Sequence, residues 1–585
     1  MGKEIKRVRI NKLSSENNNF DEIIFHDGIN LILGEKYDDS RIQGRKTNGV
    51  GKSMCIEFLD FGFLSDYDKS RIAKIPEDVF PLEEDVILDL TIGSENIVIR
   101  RNRKNHEKPV FYRGTKKVQF NKLHDAREYL RELIFGELTG KEVPSVRNLL
   151  SILIRDERSE FSDILKCHDL SKRIPDDLTV HLFMLGISLE GYKKVLETIK
   201  EIEKTGTVLN KTKRELTENG RKKIADVRAE LNALDAELSQ LEEAMDAFKT
   251  NDAFASMEAE LVELENMLEQ LRRRQKVLKI EYEKIKALPK PEQVDDSEIE
   301  LVYNQFKSNL GNAVVKSLND VVGFKNRVEE FQRSLVNQKA KELRQQIDEI
   351  SEQIRILDEQ YAEKIRIIDK KGVLKNLKTG LRIYESKKEV SAHTQILFEQ
   401  YDKYDKQRRQ QNIKKEQELL DIDNAIAALS EELKSFVMTI SDIHEAVMGN
   451  RECSFEIKAK QSGQSKTPIE ITLRIFDDGS HSVNRTKVFI YDMALMFNEY
   501  TQNRHPMFLV HDNIFDVDQD TLVQCLNYAY RKEEHCSGFQ YILTLNRDKI
   551  ENEERCKLIT MDVDAHEVAT FTKVRKFLKK DYQEK

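Results

Sequence analysis

The chain has 585 residues, 34% of them charged, with nine prolines, no tryptophan and a formal net charge of only −8. Few helix breakers beside abundant charge belong to long exposed helices rather than to a string of compact domains. The balance excludes a globally basic, nucleic-acid-coating protein, and no run of about 18 apolar residues is present to span a bilayer as a helix.

The opening MGKEIKRVRINKL lacks the apolar core of a signal peptide. Cys55, Cys167, Cys453, Cys525, Cys536 and Cys556 are scattered with no C-x-x-C pair, as in reduced thiols, so a soluble, cytoplasmic protein is expected. Residues 1–185 carry strand-like runs (IKRVRI, EIIFH, INLIL, DVILDLTI, NIVIRR, KPVFY, KVQF) separated by turn residues. Directly after INLIL, Gly34 ends a predicted strand, and Asn48-Gly49-Val50-Gly51-Lys52-Ser53 precedes a predicted helix, Met54–Phe61. In a phosphate-binding loop, glycines let successive N–H groups point at the phosphates, a lysine neutralises β/γ charge and a serine hydroxyl reaches Mg²⁺. Lys46 breaks the G-x-x-x-x-G-K-S spacing, so Gly34 is taken as the first glycine and residues 35–46 as an insertion.

Arg100–Lys117 holds Arg100, Arg101, Arg103, Lys104, Lys108, Arg113, Lys116 and Lys117 against one acid, Glu107. It reads either as a DNA-phosphate contact or as a solvated edge hairpin. Ile152-Leu153-Ile154-Arg155-Asp156 ends a helix or strand where a Q-loop would lie, without its glutamine.

Between Pro175 and Pro468 only Pro289 and Pro291 occur, which suggests two helical arms and a tip. Ile224, Val227, Leu231, Leu234, Leu238, Leu241, Met245 and Phe248 are spaced 3-4-3-4-3-4-3, and the seam resumes at Met257 after a slip. Val336, Ala340, Leu343, Ile347, Ile350, Ile354, Leu357 and Tyr361 repeat 4-3-4-3-4-3-4. These are heptad seams. An arm of about 100 residues would extend ~150 Å. The second arm is longer, through either a helical tip element at Asn304–Phe324 or an elbow at Gly372 and Gly380. Two separate homodimeric coils are the alternative to a hairpin.

Residues 451–585 show CSFEIKAK, IEITLRIF, MFLVHD, YILTL and KLITMDV as strand-like runs. In Met507–Asn513 an apolar run ends in Asp512, the candidate magnesium acid of a Walker B strand, and Asn513 stands where a glutamate usually polarises water. An amide cannot accept a proton, and general-base help is worth ~10²–10⁴-fold, so slow hydrolysis is expected. Asp516 and Asp518 either substitute for that base or form a D-loop. Upstream, Ser482, Asn484 and Arg485 lie in a polar loop entering a helix, read as a signature loop or a plain N-cap. Asn546 ends YILTLN where a switch histidine is usual.

NGVGKS after a strand, IRDERSEFSD before the coil, HDN-IFDVDQD and QYILTLNRD together resemble the SMC-like ATPases. Within them, the chain is most similar to bacterial proteins of ABC three-component and Lamassu-like phage-defence operons, which carry a C-terminal domain of unknown function. The resemblance implies an α/β ABC-type P-loop NTPase head assembled from N- and C-terminal lobes and joined by a long antiparallel coiled-coil hairpin. The expected parts are an N-terminal lobe (1–185), an ascending arm (186–288), a tip (289–324), a descending arm (325–449) and a C-terminal lobe (450–585). It further implies ATP and Mg²⁺ as ligands, with Ser53 and Asp512 on the metal. The implied partners are a second copy through the heads, DNA, and effector subunits from the same operon. A coiled-coil scaffold whose head binds nucleotide but barely hydrolyses it is the second reading, favoured by Asn513. A transporter ATPase is disfavoured by the length of the coil.

Overall fold

The computed structural model describes all residues except 1–4, 36–48, 69, 137, 139–141, 168–176, 250–257, 288–317, 369–372, 461–466, 476–480, 516, 518, 551–553, 555–556 and 584–585. In chain order its principal elements begin with β1 (Val8–Ser15), β2 (Ile23–Ile24), β3 (Gly28–Gly34), α1 (Lys52–Gly62), β4 (Val86–Ile92), β5 (Glu95–Arg101), β6 (Val110–Arg113) and β7 (Lys116–Gln119). Then come α2 (Leu123–Phe135), α3 (Val146–Leu153), β8 (Ile154–Arg155), α4 (Thr179–Met184), α5 (Leu189–Leu216), α6 (Ile224–Lys249), α7 (Glu258–Lys286), α8 (Leu318–Ile368) and α9 (Val373–Ala428). The last are α10 (Ser430–Met448), β9 (Ser454–Ala459), β10 (Ile469–Arg474), α11 (His481–Phe497), β11 (Phe508–Asp512), α12 (Gln519–His535), β12 (Gln540–Asn546) and β13 (Glu567–Phe571). Two units result, Met1–Ile202 with Gln410–Lys585, and Glu203–Arg409.

The first unit is a mixed α/β body. Its parallel sheet runs β13-β3-β12-β11-β8, so strands from the two ends of the chain are interleaved within one sheet. The reason is compositional: GINLILG and YILTL are apolar on both faces, the pattern of an interior parallel strand, and β3 is buried throughout. An antiparallel sheet, β2-β1-β4-β5-β6-β7, forms from runs such as VILDLTI, whose alternate residues are buried. One apolar core joins both ends of the chain, with Phe63 stacked on Phe508 at 5.6 Å and Phe20 on Phe577 at 4.6 Å. The run KLITMDV is not a strand; Asn527 holds it in an irregular path by bonding Leu558 O and Thr560 N, and β13 follows it instead.

The unit boundaries differ from those expected for the arms. Residues 410–449 belong to the first unit, because α10 buries Phe436, Ile440, Ile443 and Val447 in its core. Within the second unit, α6 pairs antiparallel with α9 through Glu237–Lys387 and Asp235–Ser391 contacts. Likewise α7 pairs with α8 through Glu260–Lys364 and Arg272–Asp358. Arg272 also pairs with Glu385 of α9, and Lys276 and Ile280 share a cavity with Leu231 of α6 and Leu397 of α9. The α7–α8 pair is thus doubled back along the α6–α9 pair, not extended beyond it, which removes the basis for a single ~150 Å rod. The ascending helix also breaks after Leu216, where Glu218, Asn219 and Gly220 take positive φ. Most of the expected tip, the heptad slip before Met257 and Gly372 lie outside the described residues.

Candidate nucleotide site

The parallel sheet brings the C-terminal ends of β3, β12, β11 and β8 to one edge, where α/β sheets hold ligands. Gly49 (φ +82°) and Gly51 (φ +109°) adopt backbone that other residues avoid, and Gly51 is the N-cap of α1 with no side-chain cap. The first N–H groups of α1 are therefore left for an anion. Lys52 Nζ donates to Asn546 Oδ1 at 2.5 Å. Gly34 makes this possible: a Cβ there would lie 2.7 Å from Lys52 Nζ and 3.0 Å from Asn546 Oδ1. Burial pushes the Lys52 ammonium below its ordinary pKa, while Asp512, Glu157 and Asp548 favour its charge.

Asp512 ends β11 with its side chain buried. Thr544 Oγ1 donates to Asp512 Oδ1 at 2.6 Å, and the Ser53 hydroxyl also donates to this carboxylate. Burial pushes its pKa up to about 6, against the two hydroxyls. Asn513 takes φ +60°; its N–H donates to Thr544 Oγ1 at 3.0 Å and its Nδ2 donates to Glu157 Oε1. A cavity of ≈ 360 Å³ is lined by Gly49 to Met54, Arg71, Glu157, and Lys576, Phe577, Leu578, Lys580, Asp581 and Tyr582.

Gly34, Gly49, Gly51, Lys52, Ser53, Asp512, Asn513 and Asn546 are thus one neighbourhood. Arg485 joins it by donating from Nη1 to Asn513 O at 2.7 Å. Asn484 does not; it lines a separate cavity with Ser162, Asp163 and Lys487. Ser482 accepts a hydrogen bond from Thr486 at its carbonyl within α11. Asn48, Asp516 and Asp518 lie outside the described residues. Three contributors escaped the sequence reading. Glu157 stood inside IRDERSEFSD with no role, Thr544 inside YILTLN beside the more conspicuous Asn546, and Lys576–Tyr582 offered no signal at all.

The basic segment Arg100–Lys117 is not an open cationic face. Arg101 is buried and donates to Phe61 O, Ser65 O and His106 O, and Arg103 is buried against Ile75 O and Phe80 O. Arg100 pairs with Glu16 and Asp85, Lys104 with Glu83, and Arg113 with Glu95. Lys108, Arg113, Lys116 and Lys117 are exposed, Arg113 within its pair with Glu95. Backbone carbonyls and nearby acids, invisible in a local charge count, consume the rest.

Residues 443–580 match a family described as uncharacterised proteins conserved in bacteria, DUF2326. No curated protein sequence matches the chain. Among solved structures it is similar to an Smc head domain with a coiled coil and joint from Pyrococcus yayanosii, at 12% identity, covering 92% of each chain, with a TM-score of 0.33. It is also similar to an Smc head domain with an extended coiled coil, bound to the C-terminal domain of ScpA, from Pyrococcus furiosus. That likeness has 10% identity, 93% coverage of this chain and 91% of that chain, and a TM-score of 0.32. Among the described residues, no helix is long and apolar enough to cross a membrane.

Proposed function

We propose that this chain is an SMC-like ATPase that binds ATP at Gly49–Ser53 and hydrolyses it with Mg²⁺. One observation carries the reading: a glycine loop at a helix N-terminus, a buried lysine and a buried aspartate converge from distant parts of the chain, with the Ser53 hydroxyl on the Asp512 carboxylate. The donor set fits the ligands. A hydroxyl and a carboxylate are hard oxygen ligands of the kind Mg²⁺ takes, and the desolvation of a buried carboxylate is offset by a cation. Bound Mg²⁺ supplies charge neutralisation on the phosphate oxygens. The rest falls to the chain: the α1 N–H groups and Lys52 hold phosphate, and Ser53, Asp512 and Thr544 fix the acid. Asn546, which accepts from Lys52, would bond a γ-phosphate.

The finer reading rests on the resemblance to the SMC-like ATPases. Heads close in pairs on ATP, with Ser482, Asn484 and Arg485 serving the second copy's nucleotide. Asn48 belongs to the phosphate loop, and Asp516 and Asp518 to a D-loop. The closed pair clamps DNA within an antiviral complex that includes effector subunits. Asn513 favours a second reading, a coiled-coil scaffold with a hydrolysis-poor head.

Equilibrium binding of a fluorescent ATP analogue, with and without Mg²⁺, tests the first reading. Lys52→Ala is expected to abolish binding, and Asp512→Ala to remove the Mg²⁺ dependence while retaining weaker binding. If both variants bind and hydrolyse like the parent, the site lies elsewhere. Binding with no turnover selects the scaffold.

A further inference from the structure

Proton acceptance is the gap in this site, since Asn513 cannot perform it. We propose that Glu157 is the carboxylate that takes the proton from the attacking water; this rests on the ATP reading above. The placement comes from the ends of two paired strands. Val510 pairs with Ile154 and His511 with Arg155, and just past this ladder Asn513 follows β11 with φ +60° while Glu157 opens a single 3-10 turn after β8. The side chains complete the match, with Asn513 Nδ2 donating to Glu157 Oε1. An NH₂ group facing an ionised carboxylate is a stable pair; a second carboxylate at 513 would repel it. The acid is supplied by the turn after β8 rather than by the residue after β11.

Asn513 is itself held from two further sides, by Thr544 and by Arg485. Glu157 faces the same cavity as Lys52 and Ser53, and its side chain is exposed. The neighbouring cation does not neutralise it: Arg158 is engaged by Asp156 and by Glu57 at 2.5 Å. In the proposed step the water oxygen bonds to the γ-phosphorus as the bond from phosphorus to the β–γ bridging oxygen breaks. The water proton passes to the Glu157 carboxylate, ADP and phosphate leave, and Glu157 returns the proton to solvent.

The test uses the full chain and two variants, each checked for an unchanged melting temperature. Glu157→Gln keeps an acceptor for Asn513 but has no proton-accepting power. It should bind the fluorescent ATP analogue within about threefold of the parent and lose ~10²-fold or more in turnover. Adding Asn513→Glu to Glu157→Gln returns a carboxylate to the neighbouring strand and should recover at least about tenfold of that loss. A purely structural Glu157 would not be rescued in this way. Support requires the loss, the retained binding and the recovery together, and absence of any one overturns the proposal. A parent that binds ATP without hydrolysing it also overturns it. A parent that does not bind ATP overturns the nucleotide reading itself, a separate result.

Discussion

Arg155 Nε lies 2.7 Å from Asp492 Oδ2, with both side chains shut off from solvent. Arg155 Nη2 donates to Asp492 Oδ1 and to Ile164 O, each at 2.8 Å, and His511 Nε2 sits 3.0 Å from Asp492 Oδ2. The cluster ties α11, which carries Arg485, to β8, which leads into Glu157, and to β11, which ends in Asp512. Burial alone would raise the Asp492 pKa, but Arg155 and His511 hold it below its ordinary value. Arg155→Met strands a buried carboxylate and is expected to cost about 3–5 kcal/mol. Arg155→Met with Asp492→Leu should cost less than the sum of the single changes, as read from urea midpoints in a double-mutant cycle. Additive losses would show that the two charges do not act as a pair.

Acid should weaken the first unit through two other buried imidazoles. Burial depresses His181 and His505 to about 3, from an ordinary 6.5. Between those values the unfolded chain holds the extra proton, so the stabilisation is complete above pH 6.5 and is lost as pH falls. His505 Nδ1 accepts from Met507 N at 3.0 Å, which requires the unprotonated nitrogen. His505→Asn keeps an acceptor without a titratable group. Melting temperatures of parent and variant should converge between pH 7 and pH 5; an unchanged gap counts against this assignment.

The glycines of the site should separate folding from binding. Gly51→Ala meets a positive φ and Phe577 Cβ at 2.6 Å, so a stability loss of about 1–3 kcal/mol is expected along with lost nucleotide binding. Gly34→Ala has no such φ and meets the mobile end of Lys52. It should leave the melting temperature near that of the parent while weakening ATP binding about tenfold, the equivalent of one displaced charge-assisted hydrogen bond. Equal thermal losses in the two variants would contradict this division.

Gln540 repairs a break in the antiparallel sheet. The β1–β4 register shifts between Ile10 and Lys12, and Gln540 Oε1 accepts from Ile10 N at 2.6 Å while its Nε2 donates to Ile10 O at 2.8 Å. Gln540→Leu leaves both groups buried and unpaired, at about 1–3 kcal/mol each. Hydrogen exchange at the Ile10 amide should accelerate far more than at Leu13. Retained protection at Ile10 would mean that water takes over the role of the amide.

Local patterns in the sequence determined a good deal. Heptad spacing marks the helices, doubly apolar runs mark β3 and β12, and the Gly49–Ser53 loop and Asp512 stand out as candidates from near neighbours alone. These signals work because helix period, strand burial and turn conformation depend on residues a few positions apart. KLITMDV shows the limit: its apolar residues fit a strand, yet contacts from α12 decide otherwise.

Tertiary structure alone decided which distant groups meet. Asn513 and Glu157 are 356 residues apart, and they meet because β8 and β11 pair and end side by side. Lys52 reaches Asn546 across 494 residues because β3 lies beside β12. Of the arginines that look like a DNA surface, Arg101 and Arg103 are bound by carbonyls and Arg100 and Arg113 by carboxylates, and the coil seams permit a doubled-back arm as readily as a straight one. Register and desolvation belong to pairs of segments, so neither is written in the residues of one.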